Sequence, residues 1–238
     1  GLPPASEIAA LRAAKLGLTR PELAKLVAYS KINLFDAVVA SKAPDDPAFH
    51  QSLKTYFPRE LWKFEGQMAN HRLRREIIAT RLANDLVNRC GPSFVDRIKE
   101  ISRARTVTVA CAFEASRRIF ELEDLVNRIN ALDNKIPAAA QIALHQRVGG
   151  ALRRSVTYLA RNAGFESENP PTILEVVERY FEPVREQRAT IKADLSKIER
   201  ERVELRRASL LELGAPEALA EEAALLSPLT LSLDVADM

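Results

Sequence analysis

A chain of 238 residues, 47% of them hydrophobic, can bury a sizeable core, and eight Gly with only 6% aromatic residues favour helices over sheets. A net charge of +3 is too small to imply a nucleic-acid or membrane partner by itself, since such partners leave a concentrated basic patch. No apolar run approaches the roughly twenty residues of a membrane-spanning helix and no signal peptide is apparent, so a soluble cytoplasmic protein is expected.

In chain order, Ser6 is expected to cap a short helix through Lys15, with Gly17 closing it. Thr19 and Glu22 then stand at capping-box spacing, Pro21 fits the first turn, and Leu18 can staple onto Leu23. A helix from Arg20 to about Ser41 follows, with Leu23, Leu26, Val27, Leu34 and Val38 inward. Asp46 caps the next helix, whose apolar face is Phe49, Leu53, Tyr56 and Phe57. A short helix over Arg59 to Phe64 carries Trp62, the only tryptophan, and Gly66 marks a bend or a gap.

The stretch NHRLRREIIATRLANDLVNR, residues 70–89, is expected to be the central helix. Ile78, Ala79, Leu82, Ala83, Leu86, Val87 and Cys90 cover more than half of its circumference. Arg81, Asn84, Asp85 and Asn88 recur at i, i+3, i+4 and i+7 and form one polar seam. That seam is either a solvated face, a hydrogen-bonded contact with a neighbouring helix or subunit, or a ligand site. Arg72 with Glu76, and Asp85 with Arg89, have ion-pair spacing.

Gly91-Pro92 ends that helix and starts another through about Arg103, with Phe94, Val95, Ile98 and Ile101 apolar. Val107 to Phe113 has the β-branched content of a strand, but a lone strand has nothing to pair with, so Thr106 to Phe120 is read as helix. Leu122 to Leu132 is helical by period. From Pro137 to Asn162 a long helix turns Ile142, His145, Val148, Leu152, Val156 and Leu159 inward, and Gly149-Gly150 in its middle calls for close packing or a kink.

Gly164 to Pro171 is rich in turn residues and divides a helical core domain, residues 1–163, from a helical arm or hairpin, residues 171–238. Thr172 opens a helix that Pro183 breaks or kinks. Val184, Ile191, Ile198 and Leu205 then repeat every seven residues, a narrow seam with most of its surroundings charged. Gly214 and Pro216 stop and restart the helix, which runs to about Leu226. The fold class is therefore all-α: a multi-helix bundle with a longer, more polar C-terminal arm.

No dinucleotide-binding glycine motif, phosphate-binding loop, zinc-protease motif or serine-nucleophile motif is present. Cys90 and Cys111 read as buried free thiols, and His50, His71 and His145 lack metal-ligand spacing, with His145 on an apolar face. His71 lies among Arg72, Arg74 and Arg75, which could meet phosphate or simply be solvated. Catalytic, cofactor-binding and metal residues are accordingly none.

The segments LTRPELAKLVAYSKINLFD (18–36), YFP (56–58), HRLRREIIATRLANDLVNRCG (71–91) and INALDNKIPAAAQ (129–141) resemble, in this order, the C-terminal helical part of the large bacterial NAD-specific glutamate dehydrogenases. LRRSVTYLARN and the stretch from GAPEALAEEAALL to LDVAD extend the resemblance more weakly. The resemblance implies oxidative deamination of L-glutamate to 2-oxoglutarate and ammonium, with hydride transfer to NAD, by a catalytic domain that precedes this region. The chain starts at Gly1 rather than at methionine and is read as a piece of something longer. It is expected to be a non-catalytic module serving interdomain packing, assembly or regulation, holding no cofactor itself, with that catalytic domain as its partner within a homo-oligomer of the parent. The alternative is a free-standing helical scaffold, nucleic acid being its least unlikely ligand.

Overall fold

The computed structural model describes residues 17–236 together with Ala9 and Ala13; the helix expected from Ser6 to Lys15 lies outside the described residues. Twelve α-helices and no strand occur among the described residues. They are α1 (Arg20–Val39), α2 (His50–Tyr56), α3 (Glu65–Ala69), α4 (Arg74–Cys90), α5 (Phe94–Ser102), α6 (Thr106–Ile119), α7 (Leu122–Asn130), α8 (Ala138–Asn162), α9 (Ile173–Asp194), α10 (Lys197–Glu212), α11 (Glu217–Leu229) and α12 (Ser232–Ala236). Short 3-10 turns at Ala43–Asp45, Pro47–Phe49 and Arg59–Phe64 link the early helices.

The local signals act as expected at the start of α1. The Thr19 side chain accepts from the Glu22 N–H, and the Glu22 carboxylate accepts from the Thr19 backbone and hydroxyl. Leu34 and Val38 are buried and Val27 packs against the core, but Leu23 and Leu26 are exposed, as is Leu18, so that side of α1 is uncovered among the described residues. Gly66 lies inside α3 rather than at a gap.

The deepest helix is α6, not α4. Val109, Ala110, Ala112, Phe113, Ala115 and Ile119 are buried around its circumference, and it touches α1, α4, α5, α7, α8 and α9. Propensity called this segment a strand; wrapping by six helices overrides that preference, because helix formation in a core is set by burial more than by intrinsic tendency. Against it α4 buries the expected Ile78, Ala79, Leu82, Ala83, Leu86 and Val87, and ends at Gly91, whose φ of 87° needs no Cβ penalty.

Residues on both sides of 164–171 share one hydrophobic cluster. On α9, Ile173, Val176, Tyr180 and Val184 are fully buried, and the Tyr180 ring stands edge-on to Tyr158 of α8 at 6.4 Å. Asp46 binds this segment to the early turns: its Oδ1 accepts from Ala48 N at 2.9 Å and its Oδ2 from Ile173 N at 2.8 Å. The helix also continues through Pro183 instead of breaking there, and α11 likewise continues through Pro228 to Leu229.

The expected seven-residue seam is split. Leu195 leaves α9, and Ser196 with Glu199 forms a capping box that starts α10 in a new direction. Val184 and Ile191 are buried, whereas Ile198 and Leu205 are exposed, so the polar, wet part of the C-terminal region is α10. On α8, Val148, Leu152, Val156 and Leu159 are buried, but Ile142 is exposed and His145 only half-buried. The glycine pair needs no crowding argument: an added Cβ at Gly149 would make an ordinary 3.8 Å contact with the Arg89 carbonyl, and one at Gly150 would meet nothing within 4 Å.

Arginines from one helix repeatedly tie the carbonyl end of another. Arg75 on α4 reaches the carbonyls of Val39 and Ser41 after α1, Arg188 on α9 reaches Phe120 O after α6, and Arg161 on α8 reaches Ile101 O in α5. Each places a cation where the helix dipole is negative and where carbonyls lack helical partners.

Candidate functional site

The expected seam on α4 does not act as one unit. Arg81 Nη1 donates to Ser52 O and to Thr55 Oγ1, both at 2.8 Å, and so binds α4 to α2. Asp85 Oδ2 accepts from Arg117 Nη1 at 3.0 Å, which binds α4 to α6. Asn84 is half-buried and Asn88 exposed, and neither has a side-chain hydrogen bond among the described residues. The i,i+4 pair expected between Asp85 and Arg89 gives way to this longer-range one.

Arg117 is the centre of the charged cluster. Only 8% exposed, it bonds to Asp85, to Glu114 at 3.1 Å and to Glu123 Oε2 at 2.6 Å, so α4, α6 and α7 all supply it with carboxylates. Glu114, itself 4% exposed, also accepts from Arg118 Nε at 2.8 Å, and Arg118 reaches on to Ala48 O. Burial penalises the Arg117 charge, but Glu114, Glu123 and Asp85 more than offset that and hold its pKa above the usual arginine value. Arg89, on the flank, has the opposite balance, lowered by burial and by the nearby Arg117.

Spacing hinted at this cluster without resolving it. Glu114, Arg117 and Arg118 stand at i, i+3 and i+4 within a helix otherwise apolar all round, and charges in such a setting must be paired. The cavity beside Arg81, Asp85, Glu114 and Arg117 holds about 10 Å³, room for a single water, so the arrangement suits fixing three helices more than admitting a ligand.

The remaining polar candidates are likewise committed or inert. Arg74 and Arg75 both bond to Asp45, which removes them from any phosphate site at His71. Burial pushes the Cys90 and Cys111 thiols up to about 12, so both stay protonated and unreactive at neutral pH. His145 is pulled below its ordinary value by burial and by Arg89. Among the described residues no three His, Cys, Asp or Glu side chains converge to hold a metal, and no helix is long and apolar enough to cross a membrane.

Comparison with known proteins gives this all-helical arrangement its place. The family described as glutamate dehydrogenase, C-terminal, matches residues 15–238. The chain belongs to this family. Its relatives include the NAD-specific glutamate dehydrogenase of Halomonas elongata, 36% identical over 87% of this chain and 13% of that protein. The NAD-specific glutamate dehydrogenase of Pseudomonas aeruginosa is 39% identical over 68% of the chain and 10% of its own length. That of Mycobacterium tuberculosis is 36% identical over 61% and 9% respectively. The chain thus spans about an eighth or less of the length of these relatives and corresponds to their C-terminal part.

Proposed function

We propose that this chain is a non-catalytic helical module that packs against, and helps assemble, the rest of a cytoplasmic NAD-specific glutamate dehydrogenase. The whole enzyme would oxidatively deaminate L-glutamate to 2-oxoglutarate and ammonium, passing a hydride to NAD in a catalytic domain of the same polypeptide, within a homo-oligomer. The observation that carries the packing role is the face of α1 that the described residues leave uncovered. Leu23, Leu26, Tyr29 and Ile32 recur every three residues, wind as one strip along the helix, and are each between 38% and 51% exposed. A strip of large apolar side chains held in water by a well-formed capping box is unfavourable unless another surface covers it.

Hydrogen exchange tests this directly. In the full-length enzyme the amides of residues 23–32 are expected to exchange more slowly than in the isolated 238-residue chain, while those of α6 are equally protected in both. Equal exchange of residues 23–32 in the two proteins would remove the packing role. The isolated chain is also expected to show no glutamate-dependent reduction of NAD, because hydride transfer needs both reactants held together. Turnover by the purified chain would overturn the non-catalytic reading.

A further inference from the structure

A second group of arginines lies where α8, α10 and α11 meet, and it differs from the first in having more arginines than carboxylates around its cleft. Arg147 and Arg154 are seven residues apart and share one face of α8; Arg202 and Arg206 are one turn apart on α10, which packs on α8 and α11. Between them is a cleft of about 130 Å³ lined by Arg154, Arg202 and Arg206, with Pro228 and Leu231 on its apolar side. One carboxylate, Glu199, also lines it: it accepts from Ser196 N at 3.1 Å and Ser196 Oγ at 2.6 Å to cap α10, and its charge offsets part of that of Arg202 but leaves the cleft with an excess of arginines. Arg154 Nε donates to Thr230 Oγ1 at 2.9 Å, which fixes its guanidinium and leaves both terminal nitrogens without a partner among the described residues.

Among the described residues Arg147, Arg202 and Arg206 make no ion pair, and Arg147 Nε is buried without a hydrogen-bond partner. Nearby arginines show what the chain does elsewhere: Arg128 is forked onto Glu222, and Arg207, on the next face of α10, pairs with Glu204 and Glu217. Burial lowers the pKa of Arg154, aided by Arg206, Arg153 and Arg147, and that of Arg206, aided by Arg147 and Arg202. Mutual repulsion of this kind is a cost that an anion would relieve.

We propose that this cleft binds a phosphate-bearing small molecule, with the phosphate seated among the guanidiniums of Arg154, Arg202 and Arg206. A phosphate group brings close to two negative charges and three acceptor oxygens to a single centre, which suits several converging planar forks; a single carboxylate could neutralise only one of them. The cleft is smaller than the roughly 300–1,000 Å³ of pockets that enclose a whole drug-sized ligand, so it takes the charged group and leaves the remainder outside, against Pro228 and Leu231. Extended polyanions fit poorly, because the arginines line one small cleft and not a continuous track with interleaved aromatics. The inference is independent of the packing role of α1.

Calorimetric titration of the 238-residue chain with pyrophosphate, at an ionic strength held constant with chloride, tests it. Saturable binding is expected, weakened roughly tenfold or more in Arg202→Gln/Arg206→Gln and unchanged in Arg20→Gln, which lies on α1. Should the double variant lose its helical far-UV signal, Arg202→Gln alone serves, since that side chain is exposed. No binding above the chloride background, or equal binding by the variants, overturns the proposal. Malonate binding as tightly as pyrophosphate would overturn the assignment to phosphate, and binding of an oligonucleotide while pyrophosphate stays inert would assign the arginines to nucleic acid instead.

Discussion

The two arginine groups of this molecule use the same side chain to opposite ends. At the junction of α4, α6 and α7, Arg117 is nearly buried and meets three carboxylates; at the junction of α8, α10 and α11, three arginines line a cleft with one carboxylate that also caps a helix. The difference is a matter of dielectric. A guanidinium taken out of water must be compensated where it stands, whereas one left partly wet tolerates like-charged neighbours at small cost and keeps its donors free. Balanced charge fixes helices, and unbalanced charge at a wet cleft is available to something else.

The largest test of this contrast is Arg117→Met. It removes the shared partner of Asp85, Glu114 and Glu123 and leaves Glu114 buried with only Arg118, so urea unfolding should show a loss of about 3–5 kcal/mol. A loss under about 1 kcal/mol would mean that water already compensates the cluster, and the contrast would fail.

A smaller effect belongs to His145 on α8, which is half-buried and feels the charge of Arg89. Its folded pKa is below the ordinary 6.5, so the folded state takes up a proton less readily than the unfolded one. The stability it contributes is present above pH 6.5 and is lost as pH falls from there through the lowered folded value. Over that window the wild type should lose stability more steeply than His145→Gln, provided pH stays above about 5, where carboxylates such as Glu166 do not yet titrate. Identical slopes would show that burial and the charge of Arg89 do not disfavour protonation of this histidine in solution.

Smaller still, Arg206→Gln should raise stability at low salt by about 0.2–0.5 kcal/mol, because it removes a like-charge i,i+4 pair with Arg202, and the gain should fade as salt is added. Destabilisation would mean that Arg206 has a compensating partner in solution. The smallest change is expected for Asn84→Ala. This residue adjoins Asp85 but lies outside the Arg117 network, so its loss in the isolated chain should stay within about 0.5 kcal/mol; a larger cost would extend the balanced group by one residue.

Much of the architecture was legible because it is encoded locally. Thr19 with Glu22, Thr172 at a helix start, Gly91 at a helix end and the apolar width of 78–87 each act within one or two turns, and each does in the fold what its spacing implies. Ser196 with Glu199 carries the same local signature and was overlooked in favour of a seven-residue repeat, which is why Ile198 and Leu205 were placed in a seam that α10 turns outward. The faces of Leu23, Leu26 and Ile142 were illegible for a different reason. Apolar spacing says that a strip wants cover but not whether the covering surface lies in the same chain.

The charged clusters were harder still. Of the seam, Arg81 and Asp85 find partners 26 to 32 residues away in sequence, while Asn84 and Asn88 find none among the described residues, and nothing in a common helical face distinguishes the two pairs. Only the positions of α2 and α6 do. Arg117 could have been singled out by its setting, a charged side chain one turn from Phe113 in an otherwise apolar helix, even though its partners on α4 and α7 could not.

The arginines that tie the carbonyl ends of neighbouring helices bear on the order in which the chain organises itself. Arg75 reaches Val39 across 36 residues, Arg161 reaches Ile101 across 60 and Arg188 reaches Phe120 across 68, so none of these bonds can form until two helices are already docked. Contacts of this kind are made after the folding barrier rather than on the way up to it. Replacing Arg188 by Met should therefore quicken unfolding while leaving the refolding rate nearly unchanged, which stopped-flow measurements in urea would show as a shift of the unfolding limb alone. The lifetime of the native state, more than its speed of formation, is what these side chains set.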